Sequence, residues 1–364
     1  MNKNHRAWTV PVSGVLLLAT AVSAEQDLQT YLNSTNRVTL SLRFGLNIQG
    51  RFKGTGSGFL TGAPFSAGRR TPNGDPYNYD NGYVYPDISG SHDGLTYYWG
   101  YVDASQVNTA NSTVSFNRTT VSGLPSENSG DDPAGVGAEI TYNYEIGLKE
   151  DWRQLRYGLE FAVNWLPIEF NSGGTYNARF ATQTDTYSFQ PGTLPPAEQL
   201  PYQGGRGPGG PGGNDFILNF NPNLPPAYRT VVGTFVAQQH FDANLWGFRV
   251  GPYIEMPVST RWSLHLSGGL AMGLLHGNAA WTETLTLPGG AGSITAQGGG
   301  SDTELLWGYY VGLQAAYQFN DRWGLEAGVQ FQDLGVYDHN FGGRTVELDL
   351  SQSIFVHAGI SYNF

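Results

Sequence analysis

The chain of 364 residues carries 30 acidic against 19 basic side chains, a formal net charge of −11, and no cysteine. That balance excludes a nucleic-acid partner, which needs clustered Lys and Arg, and the missing thiols exclude a disulfide framework and cysteine-ligated metals. Charged residues are only 13% of the chain against about 25% in soluble domains; a mean hydropathy of −0.31 excludes a bundle of spanning helices but not strands that are apolar on alternate residues.

The first element is a leader. Lys3, His5 and Arg6 precede an apolar run from Val10 to Val22, and Val22-Ser23-Ala24 fits a small-x-small cleavage site. The run is about half of the roughly 20 residues a spanning helix needs. Residues 1–24 are therefore read as a signal peptide, 25–36 as a short periplasmic segment and 37–364 as the folded body.

From there the dominant signal is alternation with period two. Val38, Leu40, Leu42, Phe44, Leu46 and Ile48 share one face, while Thr39, Ser41, Arg43, Gly45 and Asn47 share the other. That is the length a tilted strand needs to cross a bilayer. The same pattern returns in Ile140–Leu148, Tyr157–Trp165, Trp246–Ile254, Trp262–Leu270, Trp307–Phe319, Trp323–Phe331 and Val346–Phe364. Tight turns near 149–154, 257–261 and 320–322 alternate with long loops at about 50–138, 168–243, 275–303 and 333–344. Eight strands with short turns on one side and long loops on the other predict an all-β, antiparallel up-and-down transmembrane barrel. The count becomes ten if Leu95–Tyr101 and Thr113–Val121 also cross. Trp152, Trp262 and Trp323 sit at the short turns, where an apolar body with a polar tip suits the membrane interface.

The last strand carries a family resemblance. Val356, Ala358, Ile360 and Tyr362 alternate up to a terminal Phe364, which resembles the assembly signal of Gram-negative outer-membrane barrels. The run from Tyr317 through Asn320-Asp321-Arg322 to Trp323 resembles their periplasmic hairpins. The plan is similar to the small eight-stranded OmpA/OmpX-type barrels. The resemblance implies an outer-membrane location, contact with outer-membrane lipid, and handling by the barrel-assembly machinery through Tyr362 and Phe364.

Candidate chemistry follows from the faces. Arg43, Glu139, Glu145, Arg156, Glu160, Arg249, Glu255, His265, Glu326 and His357 fall on the inward phase. An eight-stranded barrel holds little more than its own side chains, so these charges are expected to pair in a lumen network. His265 and Ser267 share a strand face, a pair similar to that of lipid A deacylase barrels; it lies on the inward phase, and no catalytic residue is assigned. Tyr77, Tyr79, Tyr83, Tyr85, Tyr97, Tyr98, Trp99 and Tyr101 crowd the first long loop and could recognise an extracellular glycan or protein. Asp75, Asp80 and Asp87 lack calcium-loop spacing, so no metal or other cofactor is expected. Gln203–Asn214 is too rich in Gly and Pro to bury a core and reads as an extracellular segment. The resulting expectation is a barrel that is not an enzyme and acts through its outer loops, with a narrow channel for small solutes as the alternative and a lipid-modifying enzyme as a distant third.

Overall fold

The computed structural model describes residues 36–59, 78–84, 95–96, 99–130, 135–149, 155–189, 202–203, 218–219, 225–290 and 292–364. The leader, residues 25–35 of the short periplasmic segment, Trp152, and residues 204–214 of the Gly-Pro segment lie outside the described residues.

Eight antiparallel strands close a ring. We label them β1 (Asn36–Leu46), β2 (Val136–Lys149), β3 (Leu155–Ser188), β4 (Ala227–Pro257), β5 (Trp262–Thr286), β6 (Ser293–Gln318), β7 (Trp323–Asp333) and β8 (Ser353–Asn363). Each pairs with its sequence neighbour, Leu325 of β7 facing Ile360 of β8 for example, and β8 pairs with β1 to close the ring, where Leu40 faces the same Ile360. Closure satisfies every ladder hydrogen bond between strands, the condition for a sheet to survive in hydrocarbon.

The outer wall of the ring is apolar. Leu40, Ile140, Phe161, Val250, Leu266, Val311 and Val329 are all exposed large hydrophobics, a band that only lipid can cover without cost. At the short-turn end, Trp262 packs 4.9 Å from Tyr317 and Trp323 packs 4.9 Å from Tyr362, forming an aromatic edge.

The strands do not stop at the band. β3 to β6 run for 34, 31, 25 and 26 residues, two to three times the roughly 9–11 residues a crossing requires. The long loops read at 168–243 and 275–303 are therefore strand over much of their length. The reason is a change of phase. On each long strand two apolar residues stand side by side: Trp165-Leu166, Leu245-Trp246, Leu274-Leu275 and Leu305-Leu306. One member of each faces out and the other is buried inside. Below the doublet the apolar residues point to lipid; above it they point inward and the outer face turns polar. Alternation continues, but its faces are exchanged.

Above the doublets the ring is completed by a second sheet. Its order is Val336–Phe341, Arg344–Asp349, Gln49–Lys53 and Glu127–Ser129. Asn47, at φ +58°, takes the left-handed conformation that Asn tolerates and swings the chain out of β1 into this sheet. Ile48 consequently points inward and is buried, not on the lipid face that simple alternation assigned it. Phe52, Phe170, Phe241, Leu275, Tyr337 and Leu348 belong to the apolar core between the two sheets.

The ten-strand alternative is not what the chain adopts. Thr113–Ser122 pairs with Arg179–Ser188, the far end of β3 beyond the band. Trp99–Tyr101 joins a small sheet with Gly82–Val84 and Tyr202–Gln203. Neither segment enters the ring.

Candidate functional site: the filled lumen and the extended sheet

Because β1 to β8 alternate strictly through the band, every polar residue on the inward phase meets its counterparts inside a narrow barrel. Glu139 on β2 sits at the centre of one cluster. It pairs with Arg43 of β1 and, at 2.7 Å, with Arg249 of β4. Arg43 also donates to Gln332 at 2.6 Å and lies 3.6 Å over the Phe355 ring. Arg249 reaches Gln330, stands 3.8 Å from Glu160, and lies 4.8 Å from the Tyr310 ring.

A second cluster lies nearer the short turns. Arg37 pairs with Glu255 at 3.0 Å and Glu326 at 2.9 Å. Thr39 donates to Glu326 at 2.9 Å and Ser263 to Glu255 at 2.6 Å. His265 contacts Glu160 at 3.0 Å and Arg37 at 3.2 Å while its ring stacks 4.7 Å from Tyr253. Arg156 donates to Glu145 through Nε at 2.7 Å. His357 is buried against Gly328, where a Cβ would lie 2.8 Å from Nε2. The two histidines are thus engaged on different partners.

All ten lumen positions read from the sequence face inward. Arg37, Gln330, Gln332 and Tyr310 were missed. Arg37 stands one residue before the alternation begins at Val38, yet shares the phase of Arg43; the glutamines lie on the inward phase of β7 but carry no charge to draw notice. Ser267 donates to Glu160 at 3.2 Å, so the serine and histidine both lean on one carboxylate.

The filled lumen leaves little space. A cavity at the short-turn mouth, lined by residues such as Arg37, Glu145 and Glu255, measures ≈ 10 Å³, about the room of one water. Above the ion pairs lies the apolar core, and above that a buried clamp. Glu283 accepts from Arg344 at 2.7 and 2.6 Å and from the Gly56 amide at 3.0 Å, with the guanidinium 4.5 Å from the Trp281 ring.

The loop aromatics occupy a different place from the one their composition suggested. Tyr79, Tyr83, Trp99 and Tyr101 are buried at 0–3% exposure, so they do not form an exposed recognition surface. Tyr79 stacks 5.2 Å from Phe116, and Trp99 stacks 5.8 Å from Tyr101. Tyr79 donates to Asp185 at 2.7 Å. That aromatic area is buried against Phe116 of the strand Thr113–Ser122 and Tyr187 at the far end of β3. Tyr77, Tyr85, Tyr97 and Tyr98 lie outside the residues whose side chains are described.

The titratable groups outside the band follow their surroundings. Burial pushes the Asp80 carboxyl above its ordinary value despite the hydrogen bond from the Thr119 amide. Burial also acts upward on Glu347, but hydrogen bonds from Lys53 and Arg51 outweigh it and hold that carboxyl low.

The outer face of the extended sheet carries an open concavity of ≈ 780 Å³. Register places Asn171, His240, Ala280 and Gly299 side by side in one outward row. Gly173, Gln238, Thr282 and Gln297 form the next. The small side chain of Ala280 lies in the hollow, and the amides of Asn171, Gln238 and Gln297, the Thr282 hydroxyl and the His240 imidazole rim it. His240 is held by Asn171 at 2.9 Å.

No family model matches the chain, and no curated protein matches it. Among solved structures it is similar to Ail, the attachment invasion locus protein of Yersinia pestis, in complex with the heparin analogue sucrose octasulfate (9% identity, 90% of this chain and 99% of that one, TM-score 0.23). It is also similar to the outer membrane protease OmpT of Escherichia coli (8% identity, 90% and 96%, TM-score 0.25). A third is a FadL homologue of Pseudomonas aeruginosa (10% identity, 93% and 92%, TM-score 0.20). These likenesses are of outline alone; the barrel architecture of this chain is carried by its own closed ring of eight antiparallel strands. The expectation that the chain is not an enzyme is corrected by the same comparison. One of the three similar structures is an outer-membrane protease.

Proposed function

We propose that this chain is exported and built into the outer membrane as a closed barrel, an anchor that holds the extended sheet and its loops at the cell surface to contact partners there. One observation carries the reading. The lumen is filled by paired charges and capped by an apolar core, while β3 to β6 continue past the lipid band as a broad sheet. A conduit needs a continuous polar path; here buried phenyl and leucyl side chains lie across it. An interaction surface needs an exposed rigid scaffold, and the four long strands supply one. Outer-membrane lipid and the barrel-assembly machinery are the partners proposed for the band and for the Tyr362–Phe364 end, where Phe364 is exposed on the outer wall.

The test is single-channel recording of the refolded protein in a planar bilayer, beside a variant lacking residues 199–225. Silence from both is expected. Steady openings in the intact protein would overturn the reading and make the chain a channel; openings only in the deletion would make that segment a lid.

A further inference from the structure

Above the lipid band two strand edges face each other without a ladder between them, and a histidine and a carboxylate meet across the gap. β6 pairs with β5 along its whole length but with β7 only from Tyr309 to Gln318. Among the described residues no strand pairs with the second edge of β6 beyond that point. The strand Val336–Phe341 stands beside it, bonded on its other side to Arg344–Asp349. We propose that this seam is a closure set by pH: its edges zip together when His339 is protonated and part when it is neutral.

The two edges match in phase. At one end of β6 the Gln318 amide donates to Arg261, and at the other the Gly292 carbonyl accepts from Leu287. The register between these ends is unbroken, so even-numbered residues of β6 turn their peptide groups to β5 and odd-numbered ones turn them away. Ser301, Thr303 and Leu305 therefore direct N–H and C=O into the seam. Across it, the two-residue turn Gly342-Gly343, with both φ positive, makes Phe341 and Arg344 a hydrogen-bonded pair. Val336, Asp338 and Asn340 then direct their peptide groups into the seam as well. His339 Nδ1 lies 3.1 Å from Asp302, and a Cβ on Gly300 would lie 3.6 Å from the Phe341 ring. These contacts set one register, in which Leu305 meets Val336, Thr303 meets Asp338 and Ser301 meets Asn340. The gap has no room for a third strand, because neighbouring strands need about 4.8 Å on each side.

Both ends of the strand are tied down. Trp281 Nε1 donates to the Phe341 carbonyl at 2.7 Å and Arg344 pairs with Glu283 at 2.6 Å. At the other end the Leu334 amide donates to Leu350 and the Leu350 amide to Gly335. The middle is held through Asp302, which His339 contacts and to which Tyr337 donates at 3.2 Å. Burial raises the Tyr337 hydroxyl, so it remains a donor. The other charges around His339 are mostly acidic. Glu304 shares the phase of Asp302 on β6, Asp338 adjoins His339, and Glu347 and Asp349 stand opposite Asp338 and Val336. Arg51 and Lys53 pair with Glu347, and Lys53 stands 3.6 Å from Asp338. Val346, opposite His339, is apolar. With His339 neutral, Asp302 and Glu304 on one edge confront Asp338 on the other. With it protonated, an imidazolium sits between them and pairs with Asp302. The zipped seam thus holds the His339 proton more tightly than the parted one, so acid closes it and rising pH opens it. Opening uncovers Tyr337 and Phe341, which belong to the apolar core.

The experiment is residue-resolved amide hydrogen exchange of the full chain in micelles at about pH 5 and about pH 8, on either side of imidazole titration, each rate divided by that of an unstructured peptide at the same pH. The amides of Ser301, Thr303, Leu305, Val336, Asp338 and Asn340 should be about fivefold better protected at the lower pH, as a partly exposed ion pair would give. The amides of Gly300, Asp302 and Glu304, which point to β5, should be protected equally at both and report that the strand is folded. Asp302→Asn and His339→Gln should each remove the pH dependence at the six seam amides and leave those three controls unchanged. The chain has no cysteine of its own, so Ser301→Cys with Asn340→Cys tests the register. A hydrogen-bonded pair stands about 5.5 Å apart at Cα, within reach of a disulfide, and oxidation should protect the seam at both pH values. Equal protection of the six amides at the two pH values in the native chain would overturn the proposal. So would a pH dependence that survives in either single variant, or a cysteine pair that does not join. The seam lies outside the band, so a lumen found to conduct would sink the closed-anchor reading and leave these exchange rates as they are.

Discussion

Replacing Glu139 tests the lumen network where it is most concentrated. Its carboxylate is buried and pairs with Arg43 and Arg249, whose side chains are 1% and 3% exposed. Glu139→Gln keeps the shape and removes the charge, leaving two guanidiniums in a site from which water is excluded. Breaking a buried pair costs about 3–5 kcal/mol. The lower end applies here, because Arg43 keeps Gln332 at 2.6 Å and Arg249 keeps Glu160 at 3.8 Å. A loss of about 3 kcal/mol is expected, read as a shift in the urea midpoint of the refolded barrel in lipid. Arg43→Met combined with Glu139→Leu should lose less than the single variant, since it leaves one guanidinium short of a partner and not two, Arg249 keeping Glu160 at 3.8 Å. Glu169→Gln, exposed on the outer face of β3, should change stability by less than about 0.5 kcal/mol. A loss below about 1 kcal/mol in Glu139→Gln would refute the view that these charges depend on one another.

Two further outcomes concern the band and the loops. Leu266→Arg, in the middle of the lipid face of β5, should cost about 2–4 kcal/mol, whereas the same change at Asn278, two outward rows above Leu274, should cost about 0–1 kcal/mol; equal costs would contradict the boundary. Asp80 has its carboxyl raised by burial, so the folded loop holds the proton more tightly than the unfolded one. Loop stability should therefore be highest below the ordinary aspartate range and fall as pH rises through the raised value. Proteolysis between residues 78 and 119 should accelerate across that window in the native chain and not in Asp80→Asn.

The membrane-spanning part was legible because lipid imposes one rule on all eight strands. Leu40, Ile140, Phe161, Val250, Leu266, Val311, Val329 and Ile360 all face out as their alternation requires. The inward charges were legible for the same reason, since a residue off the lipid phase has only the lumen to enter. What alternation alone concealed was the exchange of faces. Trp165-Leu166 and Leu274-Leu275 look like lapses in a pattern that seeks one apolar face, and beyond them Phe170, Phe241 and Ala279 alternate inward instead. Read as a phase switch, those doublets mark where each strand leaves the membrane. The loop aromatics misled differently. Composition shows that Tyr79, Tyr83, Trp99 and Tyr101 must be covered or used, and only the fold shows that they are buried, three of them in one cluster with Phe116 and Tyr187. The hollow on the outer face has almost no sequence signature, because Ala280 is too small to fill it and the residues that rim it, on four different strands, are brought into neighbouring rows only by register.

The most direct test is a nitroxide scan along the outward face of β5 in lipid vesicles, placing the probe at residues 264, 266, 270, 274, 276, 278, 282 and 284 in turn. Oxygen accessibility should dominate from 264 to 274, and accessibility to a water-soluble nickel complex should dominate from 276 onward, with the crossover at the Leu274-Leu275 doublet. A lipid-like signal continuing through 284, or a water-like signal already at 266, would contradict a closed barrel that ends its membrane crossing where the apolar residues change faces.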